Sequence, residues 1–201
     1  MGTVDSLGHV VSTTSVTGLQ GSLSNAAVPP ISREDADVPD EREALLHIAS
    51  KYGDLEVVKL LLRSGADAHK QNARQRTALH LASANGRLEV AKLLIEDGAN
   101  VNAKDKFGWT PLHAASRFGH FDVLLSLLEH GADVNAMVQG HWTPLHIASI
   151  FGHIEIIKAL FQGGANVHAR NEANRTPSQI AQRSGEREIV RLLSEYGGHG
   201  I

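Results

Sequence analysis

Histidine returns in this sequence every 33 residues, at His47, His80, His113 and His146, twice inside the string TPLH (110–113 and 143–146). An imidazole held in a fixed frame can ligate a metal, move a proton or lock a scaffold. Zinc needs its nitrogen ligands ~2.0–2.1 Å from one ion, whereas equivalent residues of stacked helical units stand about one helix diameter, ~10 Å, apart. The chain has no cysteine and no HExxH string to complete a metal site. Ser116 and Ser149 recur at one position but lack the G-x-S-x-G setting of a nucleophile elbow. Glu89, Asp122 and Glu155 also share one position, where a carboxylate suits the positive end of a helix. Neither G-x-x-x-x-G-K-[ST] nor G-x-G-x-x-G is present. These patterns lead to the expectation of no catalytic, cofactor or metal site, and of histidines that serve the scaffold.

The elements that would carry them follow from the same period. Gly53, Gly86, Gly119, Gly152 and Gly185 are each 33 residues apart, as are Gly65, Gly98, Gly131, Gly164 and Gly197. A period sustained in this way is the signature of a stacked array. In the third unit Thr110 is placed to be N-cap, with Pro111 at N1. PLHAASRF (111–118) then forms a first helix ended by Gly119, and FDVLLSLLEH (121–130) a second ended by Gly131. His113 falls at N3, where its ring can reach back to the cap as Glu does in a capping box. The first unit has Ala44 in place of the Thr; Asp40 and Glu43 are the expected box there, with an earlier helix start. The last unit carries Ser178 and Gln179 in place of Leu and His, Gln182 in place of Ser and Arg187 in place of an apolar residue, the more polar outer face expected of the terminal unit of a complete array.

DKFGWTPLHAASRFGHFDVLLSLLEHGADVNA (105–136) closely resembles an ankyrin repeat, and the resemblance runs from 39 to about 197. It implies an all-α, ankyrin-repeat solenoid of stacked helix-turn-helix units with short β-hairpin connectors. It also implies a non-enzymatic adaptor, scaffold or inhibitor that binds a protein on the concave face of hairpins and first helices. The expected repeats are 39–71 (N-terminal cap), 72–104, 105–137, 138–170 and 171–201 (C-terminal cap and short tail).

Composition narrows the rest. Net charge is −3 and no basic stripe appears, so nucleic acid is not an expected partner. The absence of cysteine fits a reducing compartment, and the cytoplasm, with the nucleus also open to it, is the expected location of a monomer. No apolar run approaches the ~18 residues of a membrane span. Neither a small-molecule substrate nor a cofactor is expected. Residues 1–32 hold ten Ser or Thr, four Gly and one charged side chain, Asp5; with the acidic stretch that follows, 1–38 reads as a disordered tail. Its start, MGTVDS, fits the pattern for myristoylation of Gly2. A myristoylated peripheral membrane tether is therefore the alternative function, although one acyl chain holds a membrane only marginally.

Function in a repeat array belongs to the positions where copies differ. In the third unit these hold Lys104, Lys106, Phe107, Trp109, Arg117 and Phe118; in the fourth, His141, Trp142 and Phe151. Five of the chain's nine aromatic residues thus fall on one face of two adjacent units, rimmed by cations. Two readings stand: the rings pack on the neighbouring unit, or they anchor a partner, as aromatic and Arg side chains do at interfaces. The second unit, with Arg74 and Arg76, is expected to lie outside this face. His141 replaces the Gly108 of the third unit and follows Gly140, which predicts a tip of different shape. Leu125, where other units have Lys59, Lys92 and Lys158, is expected to be exposed beside an under-packed Ser126 and Ala159, and forms the next candidate surface.

Overall fold

The computed structural model describes residues 39–197, with side chains from 41 onward. The expected tail (1–38), the Gly2 site and the last four residues lie outside the described residues. Among the described residues ten helices alternate with turns: α1 (Pro39–Tyr52), α2 (Leu55–Arg63), α3 (Ala78–Ala84), α4 (Leu88–Glu96), α5 (Pro111–Phe118), α6 (Phe121–Glu129), α7 (Pro144–Phe151), α8 (Ile154–Gln162), α9 (Pro177–Ser184) and α10 (Arg187–Gly197). Each odd helix packs on its even successor and on the next odd helix; the even helices form a second, more loosely joined layer. The array is an all-α solenoid of five helix pairs.

The 33-residue frame explains why these stretches are helical and where they stop. Thr110 caps α5 by accepting from the His113 N–H (3.4 Å), with Pro111 at N1. Gly119 ends the helix at φ +74°, a left-handed conformation that glycine adopts without strain. A Cβ at Gly119 would come within 2.9 Å of the His153 ring, so the same glycine also lets the next pair approach closely. The apolar stripes of paired helices meet in one continuous core that includes Leu79, Leu94, Leu112, Leu124, Leu127, Leu145, Ile157 and Leu160, all buried. No pair could bury such a core alone; stacking supplies the missing side.

Three local expectations change. α1 does start earlier than its counterparts, but at Pro39, which puts Asp40 inside its first turn rather than at the cap. Glu43 is buried, and its Oε1 accepts from the Asp67 N–H at the end of the first pair (3.5 Å). Leu125 is half-buried and packs against the core, because neighbouring helices of the even layer close over it; it offers no exposed ridge. The connectors are hairpin turns with almost no strand: two backbone bonds close each, as Asp105 N–H to Trp109 O (2.8 Å) and Gly108 N–H to Asp105 O (2.9 Å), and one β-bridge, Val138–Trp142, forms among the described residues.

Among the described residues no earlier pair covers the first at the N-terminal end of the stack. Val57 is 38% exposed, while its counterparts Val90, Val123, Ile156 and Ile189 are at most 2% exposed. Leu45, Ile48 and Leu60 are exposed with it. At the other end Gln182 and Arg187 face solvent.

Candidate interaction face

The histidine ladder is built into the stack. In α5 the Thr110 backbone N–H donates to His113 Nδ1 (3.3 Å), and the Thr110 hydroxyl lies 2.8 Å from the same nitrogen. Nδ1 is therefore an acceptor, the proton sits on Nε2, and Nε2 donates to the Trp142 carbonyl of the next connector (3.3 Å). His80 does the same towards Trp109 O (2.9 Å) and His146 towards Arg175 O (3.0 Å). Both ring nitrogens are thus engaged, Nδ1 in the cap of its own helix and Nε2 in holding one pair to the next. Burial pushes the His113 imidazole down to about 4, and lowers His80 and His146 as well, since a buried charge is poorly solvated.

A second set of side chains stitches backwards. His120 donates from Nε2 to Ala84 O (3.2 Å) and His153 to Arg117 O (3.0 Å), carbonyls at the C-terminal ends of the preceding first helices. These are the groups a helix end leaves unpaired. Ser116 and Ser149 hydroxyls donate within their own helices, to Leu112 O and Leu145 O. These threonine, histidine and serine side chains are spent on the scaffold.

What remains free is the edge formed by the connectors and the odd helices. Phe107, Phe118 and Phe151 are exposed there, and Trp109 and Trp142 half-buried. Trp109 packs on the ring of His113 (centroids 5.7 Å apart) and Trp142 on that of His146 (5.8 Å). Arg117 projects among three rings: its guanidinium carbon lies 5.7 Å from the centre of Trp109, 5.4 Å from Phe118 and 5.6 Å from Phe151. Lys106 lies 4.8 Å from the centre of its neighbour Phe107. Lys104 and His141 are exposed beside them.

Two grooves open on this edge. The first, about 230 Å³, is lined by Arg76, Asp105, Phe107, Trp109, Arg117 and Phe118, among others. The second, about 280 Å³, lies one pair further on and includes Trp109, Arg117, Trp142, Ile147, Ile150 and Phe151. Trp109 and Arg117 are the wall they share. Arg76, expected outside the face, lines the first groove, and its Nε is buried without a hydrogen-bond partner. It stands at the position of Trp109 and Trp142 in the frame, the one signal that could have found it.

The expected difference at the fourth connector is present and has a cause. In the third, Asp105 Oδ1 accepts from the N–H groups of Phe107 and Trp109 (2.8 and 2.9 Å). Val138 occupies that position in the fourth and has no oxygen to offer. There Gly140 also turns left-handed, at φ +80°, beside His141 at +57°, whereas in the third only Gly108, the counterpart of His141, does so, at +81°. The Trp142 ring lies over Gly140, within 3.0 Å of where a Cβ would stand.

A solenoid of paired helices with a free edge of connectors belongs to the class of repeat proteins that present an extended surface rather than a pocket. The family model for ankyrin repeats matches residues 46–138 and 137–200, and the chain belongs to the ankyrin-repeat family. Such repeats are generally protein-interaction modules, typically without catalytic activity. No curated protein matches the chain. No described helix is long and apolar enough to cross a membrane.

Proposed function

We propose that this chain is a non-enzymatic interaction module, an adaptor, scaffold or inhibitor, whose protein partner sits on the edge formed by α5, α7 and the connectors 105–109 and 138–142. The observation that carries this reading is the shared Trp109–Arg117 wall: five aromatic side chains and two guanidinium groups converge on two adjoining grooves, while the ladder histidines and the Ser116 and Ser149 hydroxyls bond within the scaffold. Aromatic and Arg side chains in such settings carry most of an interface's energy.

The test is capture of protein partners by the full chain and by Trp109→Ala/Trp142→Ala, with Lys59→Ala/Lys158→Ala on the even layer as control. A buried aromatic anchor contributes ~2 kcal/mol or more, which is more than a tenfold change in affinity. The tryptophan variant, with an unchanged helical circular dichroism spectrum, should lose its partners and the lysine variant keep them. A folded tryptophan variant that captures the full set places the interaction elsewhere.

A further inference from the structure

The two grooves differ in chemistry, and the difference describes what would fill them. The first has two guanidinium groups, Arg76 and Arg117, on its walls. The buried Arg76 Nε–H lacks an acceptor, and Arg117 has no ion-pair partner among the described residues. Asp105, the carboxylate of this groove, spends an oxygen on two N–H groups of its own turn. The second groove is walled by Trp142, Ile147, Ile150 and Phe151, with Arg117 as its cation. Arg74, Lys104 and Lys106 add positive charge along the connector edge of a chain whose net charge is −3. Acidic side chains recur in the first turns of the even helices, at Glu56, Glu89, Asp122 and Glu155, while Asp105 and Glu172 are the carboxylates of the connectors beside the grooves.

The grooves occupy equivalent places one helix pair apart, and packed helices lie ~8–10 Å from axis to axis. A chain in polyproline II conformation advances ~3.1 Å per residue with three residues per turn, so side chains i and i+3 share a face about 9 Å apart. A β-strand puts i and i+3 on opposite faces and does not match. Aromatic-lined grooves also suit this conformation, because a preformed helix loses little entropy on docking.

We infer that the two grooves take an acidic linear segment of the partner protein in polyproline II conformation, with a carboxylate side chain between Arg76 and Arg117 and an apolar side chain, three residues away, against Trp142 and Phe151. This rests on the face proposed above and adds the chemistry and spacing of its ligand. The carboxylate meets the guanidinium groups of Arg76 and Arg117 on the groove walls, and a planar guanidinium held among rings presents a fork matched to a carboxylate.

Selection of displayed random dodecapeptides on the full-length chain tests it. Enriched sequences should pair Asp or Glu with Leu, Ile, Met or Phe three positions away, in one chain direction. A synthetic copy of the best sequence should change the emission of Trp109 and Trp142, the chain's two tryptophans, and so report groove occupancy without any substitution. Asp or Glu to Asn or Gln in that peptide, or Arg117→Gln or Arg76→Gln in the protein, should each weaken it about tenfold, and the loss should shrink at high salt. Peptides that perturb the tryptophans but carry no acidic residue at that spacing overturn this inference and leave the face intact. Peptides that leave the emission unchanged, and bind Trp109→Ala/Trp142→Ala equally well, overturn the face itself. A selection that enriches nothing overturns the linear acidic ligand.

Discussion

The Nε2–H of His113 donates to the carbonyl oxygen of Trp142, 29 residues further on and 3.3 Å away. The imidazole that caps α5 thereby also fixes the residue whose ring walls the second groove. Scaffold and surface are joined at a single side chain, and that sets what its removal should do.

His113→Ala should lower stability by ~1–2 kcal/mol, since it removes a cap worth ~1 kcal/mol and one of the two bonds to the Trp142 carbonyl, which keeps the Val138 N–H as donor. His113→Gln should recover part of the loss, because Gln179 closes the corresponding box in α9 by accepting from the Thr176 N–H (3.0 Å). Urea unfolding of the three proteins gives the order; a Gln variant no better than Ala would show that the box contributes nothing.

Stability should fall with acidity in a defined window. The folded chain holds His113 neutral down to about 4, while an unfolded histidine titrates near 6.5. Between those values the unfolded state binds more protons, so stability is intact above pH 6.5 and declines as pH drops towards 4. At about 1.4 kcal/mol per pH unit, His113 alone accounts for roughly 3 kcal/mol, and His80 and His146 act in the same direction. Thermal midpoints from pH 7.5 to 4.5 should show the decline, with a shallower slope in His113→Gln.

Val90→Ala should cost ~1–2 kcal/mol and Val57→Ala well under half of that, since one loses core packing and the other removes an already exposed side chain. The two residues occupy the same place in successive pairs, so the comparison isolates the contribution of stacking. Equal losses by denaturant titration would mean that something covers Val57 in solution.

At the fourth connector His141→Gly should be neutral or stabilising by up to ~1 kcal/mol, because a left-handed non-glycine residue carries that order of strain. Gly140→Ala should destabilise and shift Trp142 emission, as its Cβ would stand 3.0 Å from the ring. Unchanged emission in a folded Gly140→Ala protein would contradict the packing of Trp142 on this turn.

Much of the molecule was legible because its causes are local. A Thr three residues before a His, a Pro at N1 and a Gly at the left-handed end act within one turn, so the sequence alone determined α5 as Pro111–Phe118 and the capping role of His113. The period determined that such units must stack. What the period could not contain is which atoms meet between units. The second bond of His113 to Trp142 O, the placing of Arg76 in the aromatic groove and the half-burial of Leu125 depend on distances across the stack. Arg117 shows the limit most plainly: three rings from two units surround it, and only the translation from one helix pair to the next brings Phe151 within reach of a side chain 34 positions earlier. Local propensity sets each unit, while the packing of one apolar face on the next decides which side chains remain at the surface to bind.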